Sequence, residues 1–207
     1  MKIPEDLRLS NDHERRKKIM RKIFLHFAIT LDGMVSNVEQ WVSFTDEAMK
    51  DGSAWHDTVD TIIFGNNNYA PLAEYWQNAE TSANSAAERA FARKVNDMHK
   101  IVLSHGDVEL VWKNSELLRA KDSAAFKEAI ARLKDMPGKN IAVDSGEGTW
   151  RSFLENDLWD GIDMLVHPLV IGSGKPLLAS MSIKVPLRLV ESKSYDNGVV
   201  NLRYERI

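Results

Sequence analysis

The stretch KIFLHFAIT, residues 22–30, constrains this chain more than any other. Ile23, Leu25, Phe27 and Ile29 alternate with Phe24, His26 and Ala28, and both sets are mostly apolar. A strand that is apolar on both faces has to lie inside a sheet with cover on each side. LDG (31–33) ends the run. Short apolar runs recur at 61–64 (TIIF), 101–104 (IVLS), 109–112 (ELVW), 140–143 (NIAV) and 162–171. Helical patterns lie between them. Thr45 before Asp46 and Glu47 reads as a helix start, with acidic groups near the positive end of the dipole. An alanine-rich helix is predicted over 82–97. Residues 123–135 put Phe126, Ile130 and Leu133 on one face and stop at Pro137-Gly138. A further helix is predicted over 148–156. Strands alternating with helices predict an α/β protein with a mainly parallel sheet between two helical layers. The last strands, 185–194 and 199–206, flank Asp196-Asn197-Gly198, which predicts an antiparallel C-terminal hairpin.

Composition narrows the function classes. The 207 residues suit one domain, expected over 20–207, behind a charged extension at 1–19. Residues 1–22 carry eight basic and four acidic side chains, whereas the whole chain has a net charge of −3. A basic arm of this kind either touches nucleic acid or is a solvated extension. The acidic body lacks an interleaved basic and aromatic stripe, so no nucleic-acid partner is expected. No run reaches the ~18 apolar residues of a membrane span, and the charged start lacks the apolar core of a secretory signal. No membrane partner is expected, and the location is read as cytoplasmic. The absence of cysteine removes disulfides, thiolate catalysis and cysteine-bound zinc. The histidines, at 13, 26, 56, 99, 105 and 167, show no ligand spacing, so no metal is expected.

In sheets of this kind, ligands sit beyond the carboxyl ends of the strands. The loops to read are therefore 31–45, 65–69, 104–107, 144–149 and 167–175. HPLVIGSGKPLL (167–178) contains GSGK, the end of a P-loop, but Leu169 stands where the first glycine is needed. Pro176 stands where the magnesium-binding hydroxyl is needed, so the tetrapeptide is no P-loop. DSGEGTW (144–150) joins a buried strand to a helix. It suits either a phosphate at the helix N-terminus or a plain turn. It is not a GxGxxG fingerprint, because the third glycine position falls on Arg151. Asp32 fits a tight turn. Asp46 and Glu47 fit either a helix cap or a proton relay. His167 is the histidine placed on the ligand edge.

Four blocks together resemble the dihydrofolate reductase superfamily. The branch is the one resembling the reductase domain of the bifunctional riboflavin-biosynthesis deaminase/reductase. The blocks are RKIFLHFAITLDGMVS (21–36), DTIIFGNNNYAPLAEYW (60–76), KIVLS (100–104) and the run from NIAVDSGEGTW to LRYE. They cover nearly all of the chain after Met20. The resemblance implies a three-layer αβα dihydrofolate-reductase-like fold. It also implies an NADPH-dependent reductase, of the 5-amino-6-(5-phosphoribosylamino)uracil or dihydrofolate type, acting on a small pyrimidine- or pteridine-like heterocycle, in a homodimer. A ligand-binding member of the same fold without turnover is the alternative. Ala28, Asp32 and Gly33 match the segment beside the nicotinamide. Gly65 matches the glycine of a phosphate-binding helix start, followed by Asn66 and Asn68. Ser104 matches the strand end near the adenosine, and Ser145, Gly146, Glu147, Gly148 and Thr149 match the pyrophosphate loop. Trp41 and Asp46 keep the separation of the family's tryptophan and substrate-binding acid, which implies a buried Asp46 carboxylate that anchors or protonates the substrate. His167 falls where the family turns a polar residue toward the substrate. Gly65-Asn66-Asn67-Asn68 lacks the arginine usual after that glycine, so NADH stays open beside NADPH.

Overall fold

In a computed structural model, which describes residues 20–179 and 181–207, the chain forms a single eight-stranded sheet. The charged extension at 1–19 lies outside the described residues. The strands are β1 (Ile23–Thr30), β2 (Val59–Gly65), β3 (His99–Ser104), β4 (Ser115–Arg119), β5 (Asn140–Asp144), β6 (Gly161–His167), β7 (Leu187–Ser194) and β8 (Val200–Arg206). Their spatial order is β4-β3-β2-β5-β1-β6-β8-β7. Neighbours from β4 to β6 are parallel, and β8 pairs antiparallel with both β6 and β7. The helices are α1 (Asp46–His56), α2 (Asn66–Ser82), α3 (Ala86–Asp97), α4 (Ser123–Asp135) and α5 (Glu147–Glu155). A short 3-10 turn covers Val38–Gln40.

The two faces of β1 explain the three layers. Ile23, Leu25, Phe27 and Ile29 join Phe126, Ile130, Trp150 and Phe153 of α4 and α5 in one core. Phe24 points the other way, into a second core with Met49, Trp55, Tyr69, Phe91 and Val95 from α1, α2 and α3. Each fully buried large apolar side chain contributes roughly 1.5–3 kcal/mol, so a polar residue on either face of β1 is costly unless it is partnered. His26 is such a residue.

Sequence and structure agree on β1, α4, β5 and the closing hairpin, whose turn places Gly198 at φ +81°. Three expectations are corrected. ELVW (109–112) is not a strand. Trp112 turns inward, its backbone N–H donating to the Tyr69 hydroxyl and its ring N–H to Asn96 Oδ1, and β4 begins only after the left-handed Asn114. The helix expected over 82–97 is α3, which begins only at Ala86 behind its Ser85 cap, while Ser82 is the last residue of α2. The strand over 162–171 stops at His167, because Pro168 has no N–H for a ladder.

Candidate active site

The carboxyl ends of β3, β2, β5 and β1 lie side by side, closing on Ser104, Gly65, Asp144 and Thr30. Two helices start on this edge. The Gly65 caps α2 and the Gly146 caps α5, each without a side-chain hydrogen bond. The other three α-helices are capped by side chains: α1 by Thr45, α3 by Ser85 and α4 by Asp122. The two glycine-led helix starts also touch. The Gly65 N–H donates to the Ser145 hydroxyl at 2.7 Å. A Cβ at Gly65 would stand 2.2 Å from Thr149 Oγ1, and one at Gly146 2.5 Å from Asn68 Oδ1. By contrast, a Cβ at Gly148 would meet nothing within 4 Å, so the backbone there faces open space. Glu147 leans along its helix toward Arg151, with its carboxylate 3.5 Å from the guanidinium. Residues 65–68 and 145–149, assigned to one ligand from sequence, are thus brought together at two adjoining helix N-termini, ends whose dipoles favour negative charge.

The turn after β1 is fastened to the 167–178 segment. Asp32 accepts from the Thr30 hydroxyl at 2.5 Å and from the backbone N–H groups of Ile171 and Gly172 at 3.2 and 2.8 Å. These hydrogen bonds hold its pKa below the usual carboxylate value. The Val35 N–H donates to the Lys175 carbonyl, the Lys175 N–H donates to Ser36 Oγ, and Leu177 N–H donates to the Gly33 carbonyl. Gly33, Gly172 and Gly174 adopt positive φ. The GSGK segment is therefore a clasp for this turn, and its lysine side chain is exposed. Both oxygens of Asp32 accept hydrogen bonds within the protein.

Trp41 and His167 do come together, with ring centroids 5.2 Å apart and Phe44 on the other side at 6.2 Å. The Trp41 ring N–H donates to the Ser36 carbonyl. His167 is 2% exposed, its Nε2 has no partner, and burial lowers its pKa below the usual histidine value. The burial expected for Asp46 is corrected. Its carboxylate is exposed at the first turn of α1 and accepts from the Ser85 hydroxyl, which ties α1 to the start of α3. Ala28 packs half-buried against Ala48, Leu165, Tyr195 and Val199.

Sequence reasoning missed the cavity that lies between α1, α3 and the sheet, of about 360 Å³. Its walls include His26, Asp144, Asp163, Trp55, Tyr195 and Arg203. His26 and Asp144 form a pair, Nδ1 to Oδ1 at 2.6 Å, with side-chain exposures of 19% and 22%. Burial opposes charge on His26. The Coulombic pull of Asp144 and its hydrogen bond, with Asp163 behind, outweigh burial and lift the pKa to about 9. Burial likewise opposes charge on Asp144, but His26 outweighs it and lowers that pKa. His56 donates through Nδ1 to the Gly52 carbonyl and turns Nε2 toward Asp144 Oδ2 at 3.7 Å. Asp163 accepts from Asn201 Nδ2 at 2.8 Å and faces Arg203 at 3.5 Å. His26, His56 and Asp144 have ligand atoms within 4.8 Å of one another, and within this cluster His26 and Asp144 are in direct hydrogen-bond contact. The arrangement is an ion pair. The only sequence signal for it was a histidine in an otherwise apolar β1.

A sheet ordered in this way, with paired glycine-led helix starts on its carboxyl edge, defines the dihydrofolate-reductase-like α/β class. The chain belongs to the family described as the RibD C-terminal domain, whose model matches residues 21–201. It is 26% identical over 188 residues to the uncharacterized protein YyaP of Bacillus subtilis (strain 168), covering 89% of this chain and 94% of that one. Among solved structures it resembles a putative riboflavin biosynthesis protein from Shewanella sp. PV-4, with a TM-score of 0.65, 17% identity and coverage of 90% and 99%. It also resembles a dihydrofolate reductase from Enterococcus faecalis complexed with NADP(H), with a TM-score of 0.59, 11% identity and coverage of 89% and 96%. These structural likenesses establish the fold. Among the described residues, no helix is long and apolar enough to cross a membrane.

Proposed function

We propose that the protein is a nicotinamide-dinucleotide-dependent reductase of a small pyrimidine- or pteridine-like heterocycle. The observation that supports this most is the contact between the starts of α2 and α5. Two glycine-capped helix N-termini, joined by Gly65 and Ser145, offer backbone N–H groups and two dipole ends to a diphosphate. Asn66, Asn68, Ser145 and Thr149 would hydrogen-bond the phosphates, and Ser104 would lie toward the adenosine. Asparagines bring no charge to a 2′-phosphate, so NADPH and NADH are both candidates. The bound cofactor would supply hydride, while the chain orients the two partners and excludes water.

Titration with NADPH and NADH tests this reading. A ligand that binds only the native state raises the melting temperature, by an amount that grows with its concentration over Kd. Binding should also quench tryptophan fluorescence. No response to either dinucleotide at millimolar concentration would contradict the proposal. A second reading, a ligand-binding member of the fold without turnover, is favoured by one observation: the Asp46 carboxylate is exposed and tied to Ser85. Dinucleotide oxidation in the presence of pterins and pyrimidines separates the two readings.

A further inference from the structure

The cavity beneath α1 holds a charged pair that the cofactor reading does not use. His26 lies two residues before Ala28 on β1, and Asp144 is the last residue of β5, immediately before the 145–149 loop. Within the pair, Asp144 fixes the proton on His26 Nδ1. That leaves Nε2. Its nearest acidic oxygen is Asp163 Oδ2 at 3.9 Å, beyond hydrogen-bond reach. Trp55 covers one face of the ring at 5.1 Å and limits its rotation. A buried ion pair is weak evidence for stability, so this one calls for another reason to exist. The charged and titratable groups around His26 are Asp144 on β5, Asp163 on β6, Arg203 on β8, His56 and Asp51 on α1, Glu191 on β7, and Tyr195 just after β7. Most are themselves paired: Asp163 with Asn201 and Arg203, Arg203 with Glu191, and Asp51 with Lys193. On His26, which lines the cavity, the Nε2–H is the donor left without a carboxylate in hydrogen-bond reach.

We propose that His26 Nε2 is the proton donor of this reductase, hydrogen-bonding a ring nitrogen or carbonyl oxygen of the heterocycle, with Asp144 as its positioning residue. The inference rests on the reductase reading. In the reduction, the carbon of a C=N or C=O bond accepts hydride from the dihydronicotinamide. The His26 N–H bond breaks, and its proton forms an N–H or O–H bond on the adjacent heteroatom. The products are the oxidised dinucleotide and the reduced heterocycle. Neutral His26 keeps its Nδ1 proton on Asp144 and regains the Nε2 proton from water. With a pKa raised to about 9, the ring holds that proton at neutral pH, as a general acid requires.

The test uses the full chain with 15N-labelled histidine. Pterin and uracil, as neutral ring probes, are added with and without NADPH while the ring-nitrogen resonances are followed. The expected result is a shift of the His26 Nε2 resonance on addition of a probe, and at least tenfold weaker probe binding in His26→Gln. Reduction of the probe that binds should fall in wild type above pH ~9. In His26→Gln it should drop on the order of 100-fold and lose that alkaline limb. Asp144→Asn should move the limb to lower pH while sparing NADPH binding, which a merely structural role would not do. A His26 resonance unmoved by both probes, or an alkaline limb unchanged in His26→Gln, overturns the proposal. NADPH binding in the same samples keeps the two claims apart: wild type that binds no dinucleotide fails the reductase reading and removes the donor role with it, whereas bound NADPH with an indifferent His26 fails this inference alone.

Discussion

The backbone N–H of Gly65 donates to the hydroxyl of Ser145 at 2.7 Å, joining the starts of α2 and α5 across 80 residues of sequence. There is no room for a side chain at that contact. Gly65→Ala would drive a methyl group against Thr149 Oγ1 and Ser145 Oγ. Thr149 can turn aside, so the protein should fold with a loss of about 1–3 kcal/mol. The displaced hydroxyls would then fill the space next to both helix N-termini. The expected outcome is at least tenfold weaker dinucleotide binding, measured by fluorescence titration, alongside a melting-temperature loss measured in the absence of ligand.

The His26–Asp144 pair makes stability depend on pH. The folded pKa of His26, about 9, lies above its ordinary 6.5. Its contribution is therefore fully present below pH 6.5 and is lost as pH rises through 9. Asp144 is lowered, so its part is present above the ordinary carboxylate value and is lost only on acidification. The two are one interaction, on the order of 3 kcal/mol at most. Urea unfolding of wild type should show declining stability from pH 6.5 to 9. His26→Gln should be less stable at pH 6.5 and show a flatter profile over that interval.

Lys100 gives the opposite slope. It is wholly buried, and its ammonium donates to the carbonyls of Asn96, Met98 and Lys113 beneath the ring of Trp112. Burial lowers its pKa from 10.5 to about 8. The cost of charging it is present below pH 8 and is relieved as pH rises toward 10.5. Lys100→Met removes that charge. The melting temperature of the variant minus that of wild type should become more negative between pH 8 and 10.5. A constant difference would contradict the assignment.

Asp46→Asn separates sequence from structure. An exposed carboxylate tied to Ser85 predicts a stability change within about 0.5 kcal/mol and turnover within roughly twofold of wild type. A loss of turnover on the scale of a general acid, ~100-fold or more, would return Asp46 to the site.

Much of the fold was legible because its signals were local. Both faces of β1 were apolar, Phe126, Ile130 and Leu133 kept helical spacing, and Asp-Asn-Gly marked the last hairpin. Of α2 only the start at Gly65 was legible, through the resemblance; its body has no clear periodic signal, and Tyr69, Ala73 and Trp76 fix it by packing against the second core. ELVW was misread because Trp112 is held by Tyr69 and Asn96, both distant in sequence. Of the candidate site, the glycine-led loops were readable from small residues between strand and helix. The His26–Asp144 pair was not, since the two residues are 118 positions apart and meet only because β1 and β5 are neighbours in the sheet.

The central claim is that the paired starts of α2 and α5 hold a dinucleotide diphosphate. The most direct test follows the backbone amides of Asn66–Asn68 and Glu147–Thr149 by 15N NMR as NADPH and NADH are added. The account predicts concentration-dependent shifts concentrated in these two segments. Saturating dinucleotide that leaves both segments unmoved, or that moves only residues elsewhere, would contradict it.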